Sequence, residues 1–447
     1  MRSFHAVRAA VAAAALTLVP ATALAATSQT AVVRENAADY TPQLVPTTAV
    51  PKPEVNGIAV STTSGLTYAG GKFDQVTGSA QSFGNLVAFN TATGVVRDSF
   101  HPRFNNVVRD VEDAPDGGVY VGGEFSSVDG VASERLVKFN ADGTRDTTFK
   151  PTLIKSIVND VDLYNGHLLV AGAFNSHLVS LNPNTGADDG YINATFAGAA
   201  KNTDGTRTSW GAAGTVYDVA ATATPQGDRL IAVGNFTSVN GQSRSKFAML
   251  NLPGGALNDW YYDAFATPCA TDAVRRIANL QGVDWSPDGS HFEVTATGQI
   301  PESPSEVWHH GVAGDQPTAT VCDGVGRFAL ATDAGAEWIN YTGGDSVWEV
   351  ADTGTAVYIQ GHFKWVDNAD GFASQGIGDK AAATPAARRS GIAAINPGTG
   401  YALPWNPAVP TKTGGRALEV TPQGLWVGTD SAKFGAEAHY GIAFAPR

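Results

Sequence analysis

Gly117-Gly118-Val119-Tyr120-Val121-Gly122-Gly123-Glu124-Phe125-Ser126-Ser127-Val128-Asp129-Gly130 reads as a strand between two turns. Val119, Tyr120 and Val121 are β-branched or aromatic and lie between glycines, the composition of a short strand whose ends approach other backbone closely. The paired glycines let the chain bend. Arg135-Leu136-Val137-Lys138-Phe139-Asn140 then alternates polar and apolar like a half-buried strand, and Ala141-Asp142-Gly143-Thr144 makes a hairpin turn before Asp146-Thr147-Thr148-Phe149. One unit therefore holds several antiparallel strands.

The unit recurs. Leu66-Thr67-Tyr68-Ala69-Gly70-Gly71-Lys72-Phe73 matches it upstream. Downstream come Leu169 to Phe174, Ile231 to Phe236, Val357 to Phe363, Leu425 to Gly428 and a degenerate copy at Phe292 to Gly298. The last glycines of the copies are Gly71, Gly123, Gly172, Gly234, Gly298, Gly361 and Gly428, which makes seven units, the later ones carrying insertions. Each repeat needs its neighbours to cover its apolar faces, so one large domain over 53–447 is expected rather than the two or three that length alone suggests. A charged fraction of 16% against 50 glycines and 23 prolines fits short strands and turns rather than helices or a disordered chain.

The valine-rich strand, Gly-Gly-x-Phe, Ser-x-Val-x-Gly, the Leu-x-x-Phe/Leu-Asn strand with its turn, and a closing Phe-x-Pro together resemble the delta-60 repeat family of β-propellers. The likeness is strongest from Gly118 to Pro151 and covers most of 53–447. Trp338 to Asp345 and Gly361 to Trp365 look like a subgroup of secreted bacterial proteins with such repeats. The resemblance implies a fold and an export route and transfers no activity or catalytic residue.

Met1 to Ala25 carries Arg2 and Arg8, an apolar run from Ala9 to Val19, and Ala23-Leu24-Ala25 as a cleavage site, the layout of a secretory signal peptide. The run is shorter than the roughly 20 apolar residues of a membrane span. Loss of the two arginines takes the net charge from −13 to −15. With basic residues scattered, no nucleic acid or anionic membrane partner is expected. The mature chain is expected outside the cell or at its envelope, as a monomer without a transmembrane segment.

Residues 26–52 form an N-terminal segment rich in Thr, Ala and Pro. The last unit ends at Gly441 to Arg447 without its final strand, and Ala38-Asp39-Tyr40-Thr41-Pro42 resembles that strand in other units, such as Asp98 to Pro102. One terminus completing the blade begun by the other would remove exposed sheet edges. The expected fold is thus all-β: a seven-bladed β-propeller of four-stranded antiparallel blades, its ring closed by the strand near 38–42. An open solenoid, the alternative, would want polar capping units.

Antiparallel order puts the long departures from the repeat, Gly198 to Gly214, Gln299 to Val321 and Val366 to Ser390, on one face. Cys269 and Cys322 belong to that face too. In an exported chain an isolated pair of cysteines favours a disulfide over two free thiols, and two cysteines alone complete no zinc tetrahedron. No H-E-x-x-H, G-x-S-x-G, P-loop or EF-hand loop is present. Asn140 to Gly143 and Asp284 to Gly289 hold acids, but they stand where hairpin turns are required. No cofactor, metal or catalytic residue is assigned.

The remaining candidates are Trp210, Trp308, His309, His310, Asp345, His362 and Trp365 on the decorated face. Aromatic rings beside acids and imidazoles suit a sugar or peptide, the ring stacking while the polar groups take hydrogen bonds. The alternative is that tryptophans such as Trp338 and Trp365 pack between blades. Function is expected to be that of a binding or scaffold module for cell-wall glycan, polysaccharide or an envelope protein. The competing reading is an extracellular lyase, hydrolase or dehydrogenase at the channel mouth, for which Asp345 with Asp352 or Glu349 would supply paired carboxylates.

Overall fold

A computed structural model of the chain describes residues 27–201, 212–267, 269, 278–298, 320–368 and 386–447. It is all-β apart from one short 3₁₀ turn, Asp263–Ala266, among the described residues. None of their helices is long and apolar enough to cross a membrane.

Among the described residues seven main antiparallel sheets follow one another along the chain, with four smaller ones of two-residue strands beside them. The first holds Glu54–Ser61, Leu66–Lys72 and Leu86–Asn90. The second holds Val108–Asp113, Val119–Gly123 and Leu136–Phe139; the third, Val158–Tyr164, His167–Gly172 and Leu178–Leu181. The fourth and fifth have four strands each, beginning at Thr215–Thr224 and Asn279–Trp285. The sixth starts at Val347–Asp352, and the seventh comprises Ala417–Thr421, Gly424–Gly428 and Ile442–Pro446. In the first, second, third and sixth sheets the fourth position is reduced to a single bridge: Phe89 with Val96, Phe139 with Arg145, Leu181 with Asp188, and Ile395 with Ala402. In the second unit that outer pairing therefore falls at Arg145, four residues before the Phe149 around which the sequence reading centred it.

The repeated motif has a packing reason. The second strand of each sheet is buried on both faces, as in Val119–Gly123. Its first glycine is where the next sheet's leading strand presses in: a Cβ on Gly70 would lie 2.4 Å from Val108 Cγ1, and one on Gly122 would lie 2.5 Å from Val158 Cγ1. The same relation links the seventh sheet to the first, where a Cβ on Gly428 would lie 2.6 Å from Val55 Cγ1. Cores accordingly form between successive sheets: Tyr68 and Ala88 of the first pack with Val108, Val121 and Phe139 of the second, and Val55 and Phe89 of the first with Trp426 and Phe444 of the seventh.

Short ribbons branch off between second and third strands. Ser127–Val128 pairs with Val131–Ala132, and Ser238–Val239 with Gln242–Ser243. Their tips are Asp129-Gly130 and Asn240-Gly241, with φ of 51° and 76°, and 50° and 77°. Positive φ at both central residues is what a two-residue hairpin requires, and it explains the Ser-x-Val-x-Gly element.

The N-terminal segment lies along the last strand. Arg34 N donates to Pro446 O at 2.7 Å, Ala38 N to Phe444 O at 2.8 Å, and Leu44 N to Tyr440 O at 2.8 Å. Val33, Ala37 and Leu44 are buried there. The disulfide joins Cys269 to Cys322, with Cα atoms 5.7 Å apart, across a separation of 53 residues.

Candidate functional site

Leading strands share a frame of two buried apolar residues three apart, in Val108-Arg109-Asp110-Val111, Val158-Asn159-Asp160-Val161, Val216-Tyr217-Asp218-Val219 and Val347-Trp348-Glu349-Val350, and Ala417-Leu418-Glu419-Val420 follows the same frame with Val420 half-buried. The two apolar residues pack between sheets, so the pair between them is left to face the centre. In four of these strands a β-bulge falls at that pair, as between Val108 and Asp110 or Val347 and Glu349. A bulge turns two successive side chains to the same side. The strands at Val108, Val158 and Val216 thereby each deliver one polar side chain at the start and one carboxyl just inside; the strand at Val347 delivers Trp348 and Glu349, and the last, with no bulge at this point, Leu418 and Glu419. The first and fifth sheets depart with Gly57 and Gly282, where a Cβ would come within 2.7 Å of Asp110 Oδ1 and Trp348 O respectively.

The carboxyls at this level knit neighbouring sheets. Asp110 Oδ2 accepts from Val161 N at 2.9 Å, Asp160 Oδ2 from Val219 N at 3.0 Å, and Asp218 Oδ2 from Val283 N at 2.7 Å. Each satisfies a backbone donor on a leading strand, which is the edge of its sheet and has no further strand beside it. Deeper in, Glu112, Asp162 and Asp284 form a second level, and Asp284 Oδ2 accepts from Asp352 N at 2.8 Å. Neither Glu349 nor Glu419 reaches a neighbouring sheet in this way: Glu349 Oε1 accepts from Val350 N of its own strand, and Glu419 has no hydrogen bond among the described residues.

So many acids in a confined space cannot all ionise. Desolvation, then repulsion from neighbouring carboxylates, pushes Asp160, Asp218, Glu349 and Glu112 well above the usual carboxylate range. Asp110 and Asp284 rise to about 7, and Glu419 to about 8, desolvation being the largest cause in each. All of them are half-buried and still touch water. At neutral pH the centre holds a mixture of acids and carboxylates, able both to donate and to accept.

Around the starts of the leading strands stands a rim of mixed chemistry. Arg416 lies 4.2 Å from the centre of the Trp348 ring, and Trp348 Nε1 donates to Thr413 O at 2.9 Å. Desolvation, then repulsion by Arg109, lowers Arg416 to about 10, while Glu54 and Glu349 oppose that fall. Arg109 is ion-paired with Glu124. Asn56 and Asn159 occupy the bulge position too, donating to Val108 O at 3.2 Å and Val216 O at 2.8 Å. His362 joins from the end of a second strand, its ring 6.0 Å from Trp348 and its Nε2 accepting from Ser346 N at 3.3 Å.

The rim lies at the end of the sheets where the described residues flanking the three long insertions stand. Val347 pairs with Gly361, Thr215 with Asn235, and Asn279 with Thr297, so leading strands begin where second strands end. The three long insertions depart from those ends.

Of the residues expected from sequence, His362 reaches the rim. Asp345 lies elsewhere, buried near Asp323 beside the disulfide, with burial raising it to about 7. Trp365 sits in a ribbon with Ala387–Arg388, the Arg388 guanidinium 5.7 Å from its ring centre. Trp210, Trp308, His309 and His310 lie outside the described residues, as do most of the insertions. Asp345, Glu349 and Asp352 occupy three different surroundings, Asp352 meeting Arg327 at 3.1 Å in a buried cluster with Glu293. Of these carboxyls Glu349 was named from sequence, as a partner for Asp345; Asp110, Asp160, Asp218 and Glu419, with Arg109, Trp348 and Arg416, were not singled out. Aligning the leading strands instead of the Gly-Gly motif exposes the recurring acid.

Residues 114–149, which include the second and third strands of the second sheet, match the model of a domain of unknown function, the DUF5122 beta-propeller. That stretch is similar to a β-propeller family. No curated protein matches the chain.

Proposed function

We propose that the chain is a seven-bladed β-propeller of the delta-60 repeat kind, exported to the cell exterior or envelope, that binds a glycan at the insertion-bearing mouth of its central channel. Seven successive sheets, the contact of Gly428 with Val55, and the hydrogen bonds from the N-terminal segment to the last strand support a ring completed by that segment. The observation that carries the function is the rim: the half-buried Tyr217 ring and the Arg416 guanidinium, which lies over buried Trp348, beside Asn56, Asn159, Arg109 and His362. Aromatic faces suit the apolar side of a sugar, and amides and guanidinium groups suit its hydroxyls and any carboxylate. Protonated carboxyls beneath add donors without the charge that would repel an acidic polysaccharide. An envelope protein recognised through the same loops is the other ligand class this reading admits.

A polysaccharide and cell-wall array probed with the purified protein tests this. Binding should appear to at least one glycan class and fall about tenfold or more in a Tyr217→Ala variant that remains folded, the loss of an aromatic anchor being worth over 1 kcal/mol. Absence of any glycan signal would remove the reading.

One observation favours catalysis as a second reading. Glu419, raised to about 8 and free of the cross-sheet bonds that occupy Asp110, Asp160 and Asp218, has the protonation a general acid needs near neutral pH. Shifted acids also arise wherever carboxyls are crowded for structural reasons, as three of these are. Product release from any array hit, abolished by Glu419→Gln, would establish the enzyme reading.

A further inference from the structure

Away from the channel, Asp39 of the N-terminal segment meets Glu437 and His439 of the last unit. Their ligating atoms all lie within 4.8 Å of one another. Glu437 ends the ribbon Lys433–Phe434 with Glu437–Ala438, and His439 follows it, so one is fixed by a hairpin and the other by burial. Asp39 comes from the opposite end of the chain, beside the hydrogen bond from Ala38 N to Phe444 O.

The hydrogen bonds around His439 settle which nitrogen is free. Thr41 Oγ1 lies 3.3 Å from Ile442 O, and a carbonyl can only accept, so the Thr41 hydroxyl proton points there. The same oxygen lies 3.4 Å from His439 Nδ1 and is left to accept from it. The proton of a neutral imidazole therefore sits on Nδ1, and Nε2 carries the lone pair. Nε2 has no hydrogen-bond partner among the described residues, on a side chain only 3% exposed, and faces Glu437 Oε2 at 3.6 Å. That carboxylate oxygen is itself buried without a hydrogen-bond partner. Two lone pairs turned toward each other at this distance repel unless a proton or a metal cation lies between them, and the Asp39 carboxylate beside them adds a third donor of the kind a metal takes.

We infer that Asp39, Glu437 and His439 bind a divalent transition-metal ion, of which Zn²⁺ is the best fit, clamping the N-terminal segment to the last unit. A lone imidazole with two carboxylates suits Zn²⁺ or a neighbouring first-row ion rather than Ca²⁺ or Mg²⁺, which take oxygen. Bonds of about 2.1 Å in a tetrahedron set ligand atoms about 3.4 Å apart, close to the separation of Nε2 from Oε2. Exposed Asp39 leaves the fourth position to water. Thr41 holds the imidazole in the ligating tautomer, as outer-shell partners of metal-bound histidines do. The site does not depend on any ligand at the channel mouth.

Isothermal titration of the chelator-stripped full chain with Zn²⁺, read alongside its melting temperature and its cleavage by a protease within 27–50, tests the inference. One equivalent should bind, the melt should rise, and cleavage should slow. His439→Gln and Asp39→Asn should each lose at least tenfold in affinity while keeping the metal-free melt of the unsubstituted protein. Ca²⁺ at the same concentration should do nothing. Equal Zn²⁺ affinity in His439→Gln, or Zn²⁺ binding that leaves both melt and cleavage unchanged, would overturn the clamp. So would a Ca²⁺ response as large as that to Zn²⁺.

Discussion

Desolvation and repulsion hold Glu419 protonated at neutral pH in the folded chain, whereas an unfolded chain would release that proton near pH 4. The same holds for Asp110 and Asp284, raised to about 7. Between about pH 4 and about pH 8 the folded state therefore binds more protons than the unfolded one, and stability falls as pH rises through that window. Lys246, lowered to about 7 by burial, acts in the opposite sense only above that value. The melting temperature should be higher at pH 5 than at pH 8, measured with chelator present. Glu419→Gln should raise the pH 8 melt by about 1–3 °C, a figure discounted for the water that reaches these half-buried groups. A melt that climbs steadily from pH 5 to pH 8 would mean the carboxyls are ionised and matched by unrecognised cations.

The second strand with its paired glycines is the element on which sheet-to-sheet packing turns. Gly122→Val would drive a branched side chain into Val158 and should cost about 1–3 kcal/mol by overpacking. Gly428→Val should cost as much, because Val55 of the first sheet stands where Val158 stands for the second. Chemical denaturation of the two variants compares them directly. A penalty at Gly122 with none at Gly428 would indicate an open array, whose last unit has no following sheet to meet. Much of this element was legible: glycines flanking β-branched residues mark strands, and Asp129-Gly130 and Asn240-Gly241 mark turns by local chemistry alone. The Cys269 to Cys322 pairing was legible from the cysteine count and the expectation of export. The carboxyl level was not, because Asp110, Asp160 and Asp218 belong to three different strands, 50 or more residues apart in the chain. Only the bulge, which swings a side chain to the centre, and the stacking of sheets bring them together. Asp345 looked like one of their company from its place near Glu349, yet burial beside the disulfide sets it apart.

At the scale of the whole molecule, the polar rim, the carboxyls beneath it and the anchors of three long insertions stand at one end of the leading strands. The opposite end carries short hairpins such as Thr224 to Gly227. That asymmetry is the reason to place recognition at the mouth rather than on the rim of the disc or the far face. The direct measurement is the affinity of the best array glycan for three forms of the protein: unsubstituted, Tyr217→Ala with Arg416→Ala, and Gln226→Ala in a far-face hairpin. The double variant should lose binding by about a hundredfold, two rim contacts each worth about 1–2 kcal/mol. Gln226→Ala should bind as the unsubstituted protein does. Unchanged affinity in the double variant, or a loss confined to Gln226→Ala, would contradict recognition at this mouth.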